Sequence, residues 1–169
     1  MRVQRTFAFL DLCGFTAFTD EYGDGQAVTV LSQLRAVLRA EAENCGVRVT
    51  KWLGDGAMLS GVDAGAVVEC AAEVRDKLHR DGRLALRGGI CEGQVIMFEG
   101  DDYIGAAVNV AARLCAQAAP GQLLITGRTA ASVPAHLTPV PLGEMTIDGI
   151  SQVVDVLAID ANPGLRATG

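Results

Sequence analysis

Residues 47–59 constrain the fold of this 169-residue chain more than any other stretch. Val47, Val49 and Lys51 alternate with Arg48, Thr50 and Trp52, the pattern breaks at Leu53-Gly54-Asp55-Gly56, and an apolar run resumes at Ala57–Leu59. Strand periodicity on both sides of a Gly-Asp-Gly break predicts a β-hairpin with Asp55 at or near its tip. A lone hairpin is marginal in water, so the flanking segments must supply its partners.

Those segments switch between two periods. Residues 5–12 (RTFAFLDL) alternate and then run apolar, as a buried strand does, and Gly14 ends the run. Ala27, Val30, Leu31, Leu34, Val37, Leu38 and Ala42 fall at helical spacing and predict a helix over 26–43, entered through a turn or kink at Gly23 and Gly25. Val67, Cys70, Ala71, Val74 and Leu78 predict a second helix over 63–79. Strands are expected over 84–90 and 94–100, an Ala- and Val-rich helix over 105–117 closed by Pro120-Gly121, and a short strand over 122–126. A small helix over 127–133 and strands near 140–147 and 152–159 complete the reading. Strands and helices interleave throughout, so the fold class is α+β: an α/β sandwich with helices packed on a mixed sheet. The chain reads as one domain over residues 1–161, with 162–169 as a flexible C-terminal tail.

Half the residues are hydrophobic but only 5% are aromatic, so the core must be built from Ala, Val, Leu and Ile. A formal charge of −6 argues against a broad nucleic-acid or anionic-membrane surface. No apolar run reaches membrane-span length, and MRVQRTFAF passes straight into a strand-like segment without the look of a signal peptide or anchor. The five cysteines (13, 45, 70, 91 and 115) are odd in number and contain no CxxC pair. They read as reduced thiols of a cytoplasmic protein, not as a disulfide frame or zinc site. An acidic chain that binds a polyanion needs cations beside a few placed basic residues.

Six polar residues stand out as a set: Asp11, Lys51, Asp55, Asp102, Asn109 and Arg113. Asp11 ends an apolar strand and Asp55 sits at the hairpin turn. If the two strands are neighbours, their carboxylates converge, and such a pair repels unless protonated or bridged by cations. Oxygen ligands of this kind suit Mg²⁺ or Mn²⁺. Taken singly, Asp11 reads as a helix cap and Asp55 as a turn filler; the later motif makes the joint reading the better one. Asn109 and Arg113 stand four apart and so share one helical face. On an ordinary Ala-rich helix that face would simply be solvated. A single strand lysine such as Lys51 is likewise a surface residue in most chains. His79 and His136 have no companions at ligand spacing and are expected at the surface, and Trp52 is expected in a core or interface, opposite Lys51.

The strings FLDLCGFT, KWLGDGAML and DYIGAAVNVAAR, in this order, resemble the catalytic domain of class III nucleotidyl cyclases over roughly residues 5 to 160. GAAVNVAARL is close to that family's G-x-x-VN-x-A-x-R pattern and is the most specific motif in the chain. The resemblance implies a ferredoxin-like core and a head-to-tail homodimer, in which Asp11 and Asp55 of one copy face Lys51, Asp102, Asn109 and Arg113 of the other. It implies two divalent cations, Mg²⁺ or Mn²⁺, held by Asp11, Asp55 and the backbone of Leu12. It assigns the ribose to Asn109, the α-phosphate to Arg113, and the other phosphates to the Gly14-Phe15-Thr16 turn and Arg87.

The same resemblance makes Lys51 and Asp102 the purine readers. Lysine donates to N1 of adenine and aspartate accepts from N6. Guanine reverses both groups, so the pair selects ATP. Asp101 is a rival to Asp102 in register; the seven-residue spacing to Asn109 favours Asp102. The implied reaction is the conversion of ATP to cyclic AMP. A catalytically silent module that binds nucleotide or a partner is the alternative, although such members usually lose one of the six residues. The family also often carries a lysine in a late Leu-Lys-Gly turn, where this chain has Ile147-Asp148-Gly149.

Overall fold

The computed structural model describes residues 1–161, so the tail expected over 162–169 lies outside the described residues. Its elements are β1 (Arg2–Leu12), α1 (Phe15–Tyr22), α2 (Asp24–Cys45), β2 (Arg48–Leu53), β3 (Gly56–Gly61), α3 (Ala64–Asp81), β4 (Leu86–Phe98), β5 (Asp102–Ile104), α4 (Ala106–Gln117), β6 (Leu123–Thr126), α5 (Gly127–Ala130), β7 (Val140–Thr146) and β8 (Val153–Ile159). The sheet runs β2-β3-β1-β4-β6-β8-β7, with β5 paired to the far end of β4. Its first four strands and the helices between them form the ferredoxin-like core, two split β-α-β units with every neighbour antiparallel. Among the described residues only β4 and β6 run parallel, and α4 lies in the crossover between them.

Alternation along β1 sorts the core into two layers. Ala8, Leu10 and Leu12 point to one face, where Leu34 and Leu38 of α2 and Val67, Ala71 and Val74 of α3 cover them. Phe7 points to the other, with Met58, Cys91 and Val95, beneath Ala107, Val110, Ala111 and Leu114 of α4. Phe9 and Asp11 share that second face by the same period of two, so the α4 side of the sheet carries the polar residues of interest.

Three expectations change. The strands read over 84–90 and 94–100 are one 13-residue strand, β4. Its glycines do not interrupt it, because β1 pairs with it from Leu86 to Ile96 and α4 lies against it. A Cβ at Gly89 would strike the Ala111 carbonyl oxygen and the Cys115 amide, and one at Gly93 would stand 2.9 Å from Ala107 Cβ. The helix read over 127–133 is only the four residues of α5. His79 is half-buried on α3, with its Nε2 enclosed and without a partner, instead of lying at the surface. His136 is exposed, 3.0 Å from Glu69. Trp52 is half-buried, with the guanidiniums of Arg35 and Arg39 on α2 at 4.9 and 5.0 Å from its ring. No helix among the described residues is long and apolar enough to cross a membrane.

Candidate active site

The β1 register sets the first cluster. Asp11 is paired with Gly56 of β3 on one side and Arg87 of β4 on the other. The Leu12 amide donates to the Asp55 carbonyl at 3.0 Å, which ties the hairpin turn to the end of β1. At Gly56 a Cβ would collide with the Leu10 carbonyl, so only glycine lets the two strands close here. Burial, and then the hydrogen bond and charge of Asp11, push the Asp55 carboxyl above the usual carboxylate range. A pair of adjoining carboxylates, one of them held up in pKa by the other's hydrogen bond and charge, fits a hard divalent cation. No group of three or more His, Cys, Asp and Glu converges among the described residues, so the carboxylate donor set is this pair.

Arg87 lies against the same cluster, with Nη2 3.1 Å from Asp11 Oδ2 and Nη1 donating to the Ala116 carbonyl at 3.0 Å. After Leu12, Gly14 adopts the left-handed conformation at φ 73° and starts α1, a helix that the sequence reading did not delimit. No side chain caps it, and its first intrahelical bond runs from the Phe18 amide to the Gly14 carbonyl. The amides of Phe15 and Thr16 are therefore free of the helix ladder, as an anion site at a helix start requires.

A second cluster lies on β2 and β5. Lys51 Nζ is 2.7 Å from Asp102 Oδ1, and beside it Arg48 Nη2 is 2.8 Å from Asp101 Oδ1. The structure thus pairs the two adjacent aspartates with different cations, and Lys51 takes Asp102. The ring of Tyr103 meets the buried ring of Phe7 edge-on at 5.2 Å, which anchors β5 and with it Asp102. Nothing in the sequence singles out Arg48: a spacing of three puts it and Lys51 on opposite faces of a regular strand, and the register shift between Val49 and Lys51 that disturbs this alternation has no sequence signal.

The third cluster is on α4. Ala107, Val110, Ala111 and Leu114 turn inward, leaving Asn109 and Arg113 exposed on the opposite face. They line a cavity of about 440 Å³ together with Ala112, Ala116, Asp148, Gly149 and Ile150. A smaller cavity of about 180 Å³ holds Asp11, Arg87, Leu53 and Gly56, and it shares Ala112 and Ala116 with the first. The two small side chains thus form a low ridge between the carboxylate cluster and the Asn/Arg cluster. Arg87 ties the carboxylate cluster to the α4 backbone through the Ala116 carbonyl. Among the described residues, however, no hydrogen bond or ion pair joins the Asp11/Asp55, Lys51/Asp102 and Asn109/Arg113 side-chain sets to one another, so one chain presents the three sets separately.

No protein-family model matches the chain. An uncharacterized protein of Mycobacterium tuberculosis is 31% identical over 159 residues, which are 94% of this chain and 42% of that protein. The adenylate cyclase of Streptomyces griseus is 29% identical over 129 residues, 76% of this chain and 32% of its own length. The chain therefore spans less than half the length of these curated relatives. The crystal structure of the adenylyl cyclase CyaB from P. aeruginosa superposes with a TM-score of 0.83 at 26% identity, covering 96% of this chain and 97% of that one. With the sheet order, the Asp11/Asp55 juxtaposition and the α4 motif in place, these likenesses settle the family: the chain belongs to the class III nucleotidyl cyclase catalytic domains.

Proposed function

We propose that this chain is an adenylyl cyclase catalytic domain that converts ATP to 3′,5′-cyclic AMP and pyrophosphate. The observation that carries the reading is the Lys51–Asp102 contact at 2.7 Å. A donor and an acceptor side by side suit N1 and N6 of an adenine edge, where guanine would meet donor with donor, and this supports the reading. Both side chains are about half exposed, 51% and 53%, so the pair can open to a base without breaking a core.

Each of the chain's own residues then has one task. Asn109 holds the ribose so that its 3′-oxygen lines up with the α-phosphorus. Arg113 donates to the α-phosphate oxygens as their charge builds, a task its forked geometry suits better than an ammonium would. The Phe15 and Thr16 amides, freed by Gly14, receive the outer phosphates, and Arg87 is a further phosphate donor. The 3′-oxygen forms a bond to the α-phosphorus, the bond to the bridging oxygen of the leaving pyrophosphate breaks, and the 3′-hydroxyl proton passes to water or a substrate phosphate. Asp11, Asp55 and the Leu12 carbonyl would hold two divalent cations, Mg²⁺ or Mn²⁺, which when bound would supply phosphate neutralisation and a more acidic 3′-hydroxyl. The free thiols and the substrate fit a cytoplasmic setting.

Three clusters that do not close within one chain favour a site shared by two copies. In a head-to-tail homodimer the carboxylates of one copy would face the Lys51, Asp102, Asn109 and Arg113 groups of its partner, giving two equivalent sites. Complementation tests this. Asp55→Asn and Asn109→Ala homodimers should each be inactive with ATP. Mixing them should restore activity to about a quarter of wild type, since half the dimers are mixed and each holds one intact site. Mixtures that stay silent, with a wild type active on ATP, would rule out sharing. A folded wild type silent on ATP and GTP with either metal would instead support the nucleotide-binding regulatory module.

A further inference from the structure

The carboxylate cluster already has a cation beside it, and that cation belongs to the protein. Arg87 stands directly across the β1–β4 ladder from Asp11. Its Nη2 and Nε lie 3.1 and 3.4 Å from one and the same oxygen, Asp11 Oδ2, while Nη1 is held by the Ala116 carbonyl in the last turn of α4. Helix carbonyls at that end attract positive charge. The guanidinium is therefore fixed at two points, with its fork closed over one of the two oxygens that Asp11 can offer a cation.

We propose that Arg87 is the resident counter-ion of the Asp11–Asp55 pair, and that it must leave Asp11 before divalent cations bind, so that metal and nucleotide enter the site cooperatively. This rests on the reading of Asp11 and Asp55 as metal carboxylates. A carboxylate oxygen that ligates Mg²⁺ approaches to about 2.0–2.1 Å. A guanidinium nitrogen 3.1 Å from that oxygen would put two positive charges on one atom. The metal therefore competes with the arginine instead of adding to it. A polyphosphate is the anion that resolves the competition, because a guanidinium binds phosphate oxygens as readily as carboxylate oxygens. Asp11 and Arg87 are 29% and 30% exposed, so their contact is a partly solvated ion pair of modest strength, and the exchange is within reach of an incoming nucleotide. The Ala116 carbonyl keeps the arginine tethered on α4 while its other donors change partner.

A merely structural cross-strand pair would behave differently. It would steady β1 against β4 and leave metal affinity indifferent to nucleotide. Under the proposal, the coupling between metal and nucleotide runs through Arg87 and is reciprocal, as linkage demands.

The test measures free Mn²⁺ by electron paramagnetic resonance, with the full chain and α,β-methylene-ATP as the unreactive nucleotide. Wild type should bind Mn²⁺ weakly alone and about fivefold or more tightly with the nucleotide present. Arg87→Met should bind Mn²⁺ about fivefold or more tightly than wild type without nucleotide and show less than about twofold coupling. Arg87→Lys, which keeps the charge, should remain coupled, and thermal melts establish that each variant is folded. If Arg87→Met binds Mn²⁺ as wild type does, while Asp11→Asn and Asp55→Asn abolish binding, Arg87 is not the counter-ion and the metal reading survives. If Asp11→Asn and Asp55→Asn both leave Mn²⁺ binding unchanged, the metal reading itself falls and this proposal with it.

Discussion

Lys51 Nζ lies 2.7 Å from Asp102 Oδ1 although no β-ladder joins their strands, since β2 pairs with β3 and β5 pairs with β4. The contact is made by side chains alone and is repeated one step away by Arg48 and Asp101 at 2.8 Å. Exposed pairs of this kind contribute under about 1 kcal/mol to stability. Lys51→Ala and Asp102→Ala should therefore melt within a few degrees of wild type. Each should nevertheless lower kcat/KM for ATP roughly 10- to 100-fold, the cost of leaving a base edge without its partner in the closed site. Arg48→Ala, which removes only the neighbouring pair, should lower kcat/KM for ATP by less than about threefold. Steady-state kinetics with ATP and GTP checks all three. A Lys51→Ala chain as active on ATP as wild type would remove adenine recognition from this pair.

Asp55 sits in a place that suits function better than stability. Burial and the adjoining Asp11 carboxylate both disfavour its charge. Asp55→Asn keeps the shape and removes the repulsion, so in EDTA the variant should melt at or above the wild-type temperature. Turnover should fall about 1,000-fold or more, the scale lost when a group central to the reaction is removed. Calorimetry and an assay for cyclic AMP on the same sample give both numbers. A stable variant that kept its turnover would take the metal role away from Asp55.

Gly89 shows how packing fixes the α4 residues. Besides the α4 backbone atoms that its Cβ would strike, Leu114 Cβ stands 2.8 Å from that position. Gly89→Ala should push α4 off the sheet at a cost of about 1–3 kcal/mol, or roughly 3–10 °C in Tm for a chain of this size. Asn109 and Arg113 ride on that helix, so kcat should fall by about tenfold or more at full nucleotide saturation. Gly25→Ala is the control: it lies in α2 with nothing within 4 Å, and should be neutral or stabilising by about 0.5 kcal/mol.

Periodicity made α2, α3, α4 and the β2–β3 hairpin legible, because each has an apolar face long enough to repeat. It missed α1, which is eight residues long with Phe18 as its one buried side chain, and β5, which has only three residues. It split β4 because glycine reads as a break in sequence, whereas here glycine marks close contact with another backbone. In the site, the seven-residue spacing to Asn109 favoured Asp102 over Asp101, and the structure gives Asp101 a partner of its own in Arg48. The Arg87–Asp11 contact was not legible. It depends on the β1–β4 register, which links residues 76 apart, and one sequence carries no signal for such a register.

Three buried thiols give the pH dependence a sign. Burial pushes Cys70 and Cys115 up to about 12 and Cys91 up to about 11, from an ordinary value of 9.0. Below pH 9 both states hold these protons and the thiols leave stability unchanged. Between 9 and 11–12 the unfolded chain releases protons that the folded chain keeps, so stability falls as pH rises through that window. Urea midpoints should be flat from pH 7 to about 8.5 and drop steadily above 9. Thiol reagents at pH 8 should modify the part-exposed Cys13 and Cys45 well before Cys70 or Cys91.

Asp148 is the residue most at odds with the proposed substrate. It lines the same cavity as Asn109 and Arg113, where a polyphosphate would bring several negative charges. No ion pair neutralises it among the described residues, so its field opposes the phosphates and works against the metals, Arg113, Arg87 and the Phe15 and Thr16 amides that hold them. Asp148→Lys replaces repulsion with attraction at one point and leaves the base-reading pair untouched. The expected result is a KM for ATP lower by about five- to tenfold, with little change in the ATP-to-GTP ratio. Asp148→Asn should give an intermediate value, since it removes the repulsion without adding a cation. High salt should shrink the differences among the three, because the cavity is open enough to be screened. Equal KM values across the series would mean that the polyphosphate, held by Arg87 and the Phe15 and Thr16 amides, lies beyond the reach of this turn's charge.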